Sequence, residues 1–159
     1  MKNWQCILAH LLCLAVMAEQ PSLCYSQSCR TTAKFINSKA TLLDTIRNDP
    51  RKRLVSLKNE IPGLHTELVY ATERNFTHTV LYRHAEAYLL KEPAAALHNA
   101  EYELRKRGLG LKLYDAFRPF SVTCHMWKLV ADRRYVANPA KGSNHNRGLA
   151  VDLTIIDLK

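Results

Sequence analysis

In the stretch GSNHNRGLAVDLT, residues 142 to 154, His145 and Asp152 stand seven positions apart, with Gly148 between them and an apolar run starting at Leu149. On a straight strand they would lie roughly 23 Å apart on opposite faces. On one helix they would share a face at about 10 Å. Neither arrangement makes a joint site, but a turn at Gly148, where positive φ is cheap, folds His145 back beside Asp152. Asp152 itself sits among Leu149, Val151, Leu153 and Ile155. On a central strand in that company a carboxylate needs a cation. A salt bridge to Arg147 or Arg118 would meet the need structurally. A divalent metal, most naturally zinc, held by imidazole and carboxylate would meet it with chemistry. The residues leave both open, and two ligands do not complete a site.

The elements around this pair read as a mixture of helix and strand. ATLLDTIRN predicts a short helix ending before Pro50, and TELVYAT (66–72) follows the turn signal Pro62-Gly63 as a strand. RHAEAYLLKEP reads as a loop with a helical turn. From Pro93 a helix is expected, with Leu97, Ala100 and Leu104 at helical spacing, basic residues in its last turn and Gly108 as terminator. LGLKLYD alternates leucines as a half-buried strand does. Pro119 keeps Arg118 out of the helical region, and Ser121 is placed to cap a helix over 122–133 with Val122, Trp127, Leu129 and Val130 inward. LAVDLTII is rich in β-branched residues and predicts a strand. The fold class expected is α+β, an antiparallel sheet with flanking helices.

With 159 residues, 47% of them hydrophobic, the chain can bury one core and no second domain of typical length. Its charge of +9 is spread out, with RKR at 51–53 and 105–107 as the tight groups and no interleaved aromatic platform, which argues against nucleic acid. The first eighteen residues, MKNWQCILAHLLCLAVMA, combine a basic head, an apolar stretch and a small residue at Ala18. They read as an export signal rather than a stable membrane span, followed by a polar linker over 19–38 and a domain over 39–159. The expected location is the periplasm or cell envelope. Cleavage would leave Cys24, Cys29 and Cys124, of which the first two can bridge each other and Cys124 reads as a buried thiol.

GSNHNRGLAVDLT is similar to the Ser-x-His-x-x-Gly-x-Ala-x-Asp signature of the D-alanyl-D-alanine dipeptidases, zinc peptidases associated with vancomycin resistance and peptidoglycan turnover. YATERNF (70–76), GLGLKLYDAFRP (108–119) and YVANPAKGS (135–143) match in the same order, so the resemblance covers about residues 54 to 159. It implies one Zn2+ per complete enzyme, with His145 and Asp152 as two of three ligands. It implies that Arg118 stabilises the oxyanion of the attacked carbonyl, and that Tyr70 and Ser143 contact the small D,D-dipeptide, Ser143 near its amino end; for Arg118 a plain ion pair with Asp115 stays open as the structural reading. The architecture it implies is shared with Hedgehog signalling domains.

In the family the third zinc ligand and the general base come from a Glu-x-x-His segment after the strand that carries Asp152. No histidine of this sequence follows a glutamate by three positions. Two-ligand zinc is weak, and water without a carboxylate base reacts slowly, so the 159-residue chain is expected to be inactive or nearly so, its domain C-terminally incomplete. Other readings stay open: a D,D-carboxypeptidase or endopeptidase acting on peptidoglycan fragments, a non-catalytic peptidoglycan-binding remnant, or a zinc-binding interaction domain.

Overall fold

A computed structural model describes residues 38–159. The export signal, all of the linker before Ser38 and the Cys24–Cys29 bridge lie outside the described residues. Helix α1 (Lys39–Asn48) opens with Ser38 accepting a hydrogen bond from the Thr41 amide, and Asp49 closes it and caps the 3-10 turn Pro50–Lys52. There follow β1 (Leu54–Ser56), α2 (Leu57–Glu60), β2 (His65–Thr66), a 3-10 turn over Val69–Ala71, β3 (Tyr88–Leu90), α3 (Lys91–Arg105), β4 (Leu109–Asp115), α4 (Phe120–Leu129), a 3-10 turn over His145–Arg147 and β5 (Asp152–Asp157).

The architecture is mixed α+β with two small sheets. β1 and β3 pair antiparallel, while β4 is the middle strand of the second sheet, antiparallel to β5 and joined by a short parallel pairing to β2. Helix α3 is fastened to β4 by one side chain. Glu101, buried, accepts from Arg105 Nε at 2.8 Å and from the Leu111 amide at 2.6 Å, so the helix carries a carboxylate into the core and satisfies both of its oxygens. Gly108, at φ 74°, makes the turn between the two elements.

Two apolar clusters flank the end of β4. Leu57, Ile61, Leu89, Ala94 and Leu113 belong to the first, which packs α2 and α3 on the sheets. Tyr70, Val122, Met126 and Val136 form the second, against α4. No helix among the described residues is long and apolar enough to cross a membrane.

Several local expectations need correction. The strand over 66–72 is only its first residue: from Val69 the chain coils, and the Tyr70 carbonyl instead accepts from the amides of Leu81 and Tyr82. The loop read over 83–93 contains β3. On α3 the inward face runs through Ala94, Leu97, Glu101 and Leu104, and Ala100 is exposed. Helix α4 begins at Phe120 behind Pro119, with Ser121 inside its first turn rather than capping it. It stops at Leu129 because Val130 is extended and Arg133, stacked 3.9 Å over the Trp127 ring, donates to the carbonyls of Trp127 and Val130. Met126, not the exposed Leu129, fills its inner face. β5 is an edge strand among the described residues, not a central one, so Asp152 keeps contact with water. Cys124 is disulfide-bonded rather than a thiol.

Candidate active site

Two turns, one after β4 and one before β5, are laced together by hydrogen bonds, and their side chains form the site. The Arg118 amide donates to the His145 carbonyl at 3.1 Å. Asn146, fully buried, donates from Nδ2 to the Arg118 carbonyl (2.8 Å) and to Thr123 Oγ1 (2.9 Å), while its Oδ1 accepts from the amide and hydroxyl of Ser143. Every polar atom of that amide is thereby used. Gly148 closes the second turn at φ 69°, and a Cβ there would come within 2.8 Å of Leu54 Cδ2.

This turn returns His145 to Asp152: Nε2 lies 3.5 Å from Asp152 Oδ1. The other ring nitrogen, Nδ1, is 2.8 Å from the Ala116 carbonyl. A carbonyl only accepts, so Nδ1 carries the proton and the neutral ring presents its lone pair at Nε2, facing the carboxylate. Burial alone would lower the His145 pKa, but the Asp152 carboxylate, to which Nε2 donates once protonated, and the Ala116 carbonyl outweigh it and the pKa is raised. The same contact with His145 lowers that of Asp152 against partial burial.

A bulge in β4 supplies the third group. Leu113 pairs with Leu153, yet the next pair is Asp115 with Asp152, so Tyr114 is the extra residue. Without it Asp152 would face Tyr114. With it the two carboxylates stand side by side, and Asp115, His145 and Asp152 bring ligand-type atoms within 4.8 Å of one another.

Arg118, 6% exposed, offsets one of the two carboxylate charges of this cluster. Its Nε and Nη2 donate to Asp115 Oδ2 at 2.9 and 2.6 Å, and Nη2 reaches Asp152 Oδ2 at 3.4 Å. Asp115 Oδ1 accepts from the Tyr82 hydroxyl at 2.7 Å. Nη1 makes no hydrogen bond among the described residues, and since no buried side-chain nitrogen or oxygen lacks a partner there, it keeps access to solvent. Burial opposes the guanidinium charge, but Asp115 more than restores it and the pKa is raised. The Tyr70 ring covers the guanidinium 5.2 Å away and meets Phe76 and Tyr82 edge-on. Burial pushes the Tyr70 phenol up to about 12.

The donor set can be tested against zinc. Zinc bonds of about 2.0–2.2 Å in a tetrahedron separate neighbouring donor atoms by roughly 3.3 Å. The observed 3.5 Å between His145 Nε2 and Asp152 Oδ1 matches that edge, and the half-exposed Asp152 leaves the position open to solvent. Asp115 fits less well as a ligand, since both its oxygens already accept hydrogen bonds. Of the residues singled out from sequence, His145, Asp152, Arg118 and Tyr70 share this site, whereas Ser143, at the start of the turn that carries His145, is tied to Asn146. Tyr82 and Asn146 were not anticipated as parts of the site, and Asp115 was read only as a pairing partner for Arg118, which it is. Asp115 had a signal, continuing the buried 111, 113 alternation with a charge; Tyr82, 33 positions away, had none.

A protein-family model described as D-ala-D-ala dipeptidase matches residues 51–159. The chain is 38% identical over 104 residues to the D-alanyl-D-alanine dipeptidase of Escherichia coli (strain K12), an alignment covering 65% of this chain and 54% of that protein. The chain thus spans about half the length of the curated relative it matches.

Proposed function

This chain belongs to the D-alanyl-D-alanine dipeptidase family, and from that premise we propose a zinc-dependent hydrolase that cleaves the peptide bond of D-alanyl-D-alanine in peptidoglycan metabolism. The observation that carries the proposal is the convergence of His145 Nε2 and Asp152 on one open position beside a buried arginine. Zinc, when bound there, supplies a Lewis acid and an acidified water.

The chain's own residues do the rest. His145, with Nδ1 locked on Ala116, and Asp152 hold the ion. Arg118 is kept charged by Asp115 and turns its uncommitted Nη1 donors to the oxygen on which negative charge develops. The Tyr70 ring shields the guanidinium from water on one side, which strengthens that interaction. Ser143 borders the amino end of the dipeptide. A catalytic zinc takes three protein ligands, and a base must accept the proton of the attacking water. Among the described residues no further uncommitted ligand joins the cluster. Export to the periplasm or envelope, directed by residues 1–18, belongs to the same reading.

Protein expressed from the whole reading frame that encodes these residues should release alanine from D-alanyl-D-alanine and not from its L,L counterpart. Activity should vanish with a zinc chelator and in His145→Ala. Chelator-insensitive hydrolysis, or an unimpaired His145→Ala, would refute the proposal. The half-exposed Asp152 favours one second reading, a D,D-carboxypeptidase or endopeptidase for longer muropeptides. Faster cleavage of a pentapeptide stem than of the dipeptide would select it.

A further inference from the structure

We propose that Tyr82 is a positioning residue of the reaction, acting through Asp115 to set the orientation of Arg118; the inference rests on the role given to Arg118 above. The geometry forms a relay of three side chains from different segments. The Tyr82 hydroxyl occupies Asp115 Oδ1 at 2.7 Å, which leaves Oδ2 as the single oxygen for Arg118, and both Nε and Nη2 converge on it. A carboxylate free to rotate could offer one oxygen to each of those nitrogens in the parallel fork that arginine prefers. The hydroxyl prevents that rotation, so the guanidinium is held on its Nε and Nη2 edge by one oxygen and its Nη1 group stays free for another acceptor.

The anchor is stiff. Asp115 is 1% exposed at the end of β4, and the amide of Tyr82, like that of Leu81, donates to the Tyr70 carbonyl. Tyr82 packs edge-on against Tyr70, which also meets Phe76 and covers the guanidinium itself. Burial first, then the Asp115 charge, raises the Tyr82 pKa, so its hydroxyl remains a donor throughout the working pH range. Pairing at an oxyanion depends on placement to within a fraction of an ångström, and errors near 1 Å reduce rates by about 10²-fold.

The test is a double-mutant cycle on the protein from the whole reading frame, with D-alanyl-D-alanine as substrate. Tyr82→Phe should lower kcat at least tenfold with KM changed less than twofold, and in an Arg118→Lys background it should lower kcat no further. A structural role for Tyr82 gives the same loss in both backgrounds, and that result, or an unchanged kcat in the single variant, overturns the proposal. A second readout does not depend on turnover: hydrogen exchange of the Arg118 Nε–H, followed by 15N NMR, should accelerate at least tenfold in Tyr82→Phe. If the parent protein does not hydrolyse the dipeptide, the functional reading fails, and the exchange rate alone decides whether Tyr82 holds Arg118. Should Tyr82→Phe fail to fold, Asp115→Asn replaces it in the cycle with the same expected non-additivity.

Discussion

Arg118 and Asp115 leave water together, and a buried pair of this kind persists only where the remaining donors and acceptors are satisfied. Tyr82 and Asp152 supply further partners on the side-chain side and Asn146 on the backbone side, with Nη1 left to solvent. Removing Asn146 strips partners from the Arg118 carbonyl, Thr123 and Ser143 at once. Asn146→Ala should therefore lower stability by about 2–3 kcal/mol, read from urea unfolding, because buried groups left unpaired carry their full desolvation penalty. A loss under half that would mean water replaces the amide. Arg118→Lys keeps a charge for Asp115 but gives up the planar donor fork. Its kcat should fall about 10²-fold with little change in KM, as expected for a donor that acts mainly in the transition state. A change confined to KM would assign Arg118 to ground-state binding instead.

At the scale of elements, the site depends on two local departures from regular structure, the β4 bulge at Tyr114 and the left-handed Gly148. Gly148→Ala puts a side chain into a left-handed backbone and against Leu54, so it should destabilise by about 1–3 kcal/mol. It should also weaken zinc uptake, since the turn sets the His145 to Asp152 distance; unchanged uptake in a folded variant would contradict that. The Gly148 turn was legible because only a bend there lets residues seven apart meet. Helices α1 and α3 and strand β4 were legible from periodicity and terminators. β1 and β3 were not, since three residues hold too little alternation to detect, and their pairing partner is more than thirty positions away. The run 66–72 misled in the other direction: its strand-forming residues coil instead to bury Tyr70 beside Arg118, a tertiary demand that local propensity does not register. The same limit hid the bulge that sets Asp115 opposite Asp152.

For the whole molecule, α3, α4 and the two sheets act as a frame that holds two turns in fixed relation, and its response to pH is set by the buried phenols. Tyr70 and Tyr82 both have raised pKa values, from burial above all. Above the ordinary tyrosine value of about 10 the folded chain binds more protons than the unfolded one. That contribution to stability is complete below pH 10 and is lost as pH rises through about 12 for Tyr70. Unfolding midpoints in urea should thus decline more steeply between pH 10 and 11 in the parent than in Tyr70→Phe, and equal slopes would contradict the assignment. The central claim, that the frame brings His145 and Asp152 together to hold zinc, is tested most directly by zinc uptake in competition with a chromophoric chelator. One zinc per chain is expected, with affinity reduced at least tenfold in both His145→Ala and Asp152→Asn. Equal uptake by the parent and both variants would contradict it.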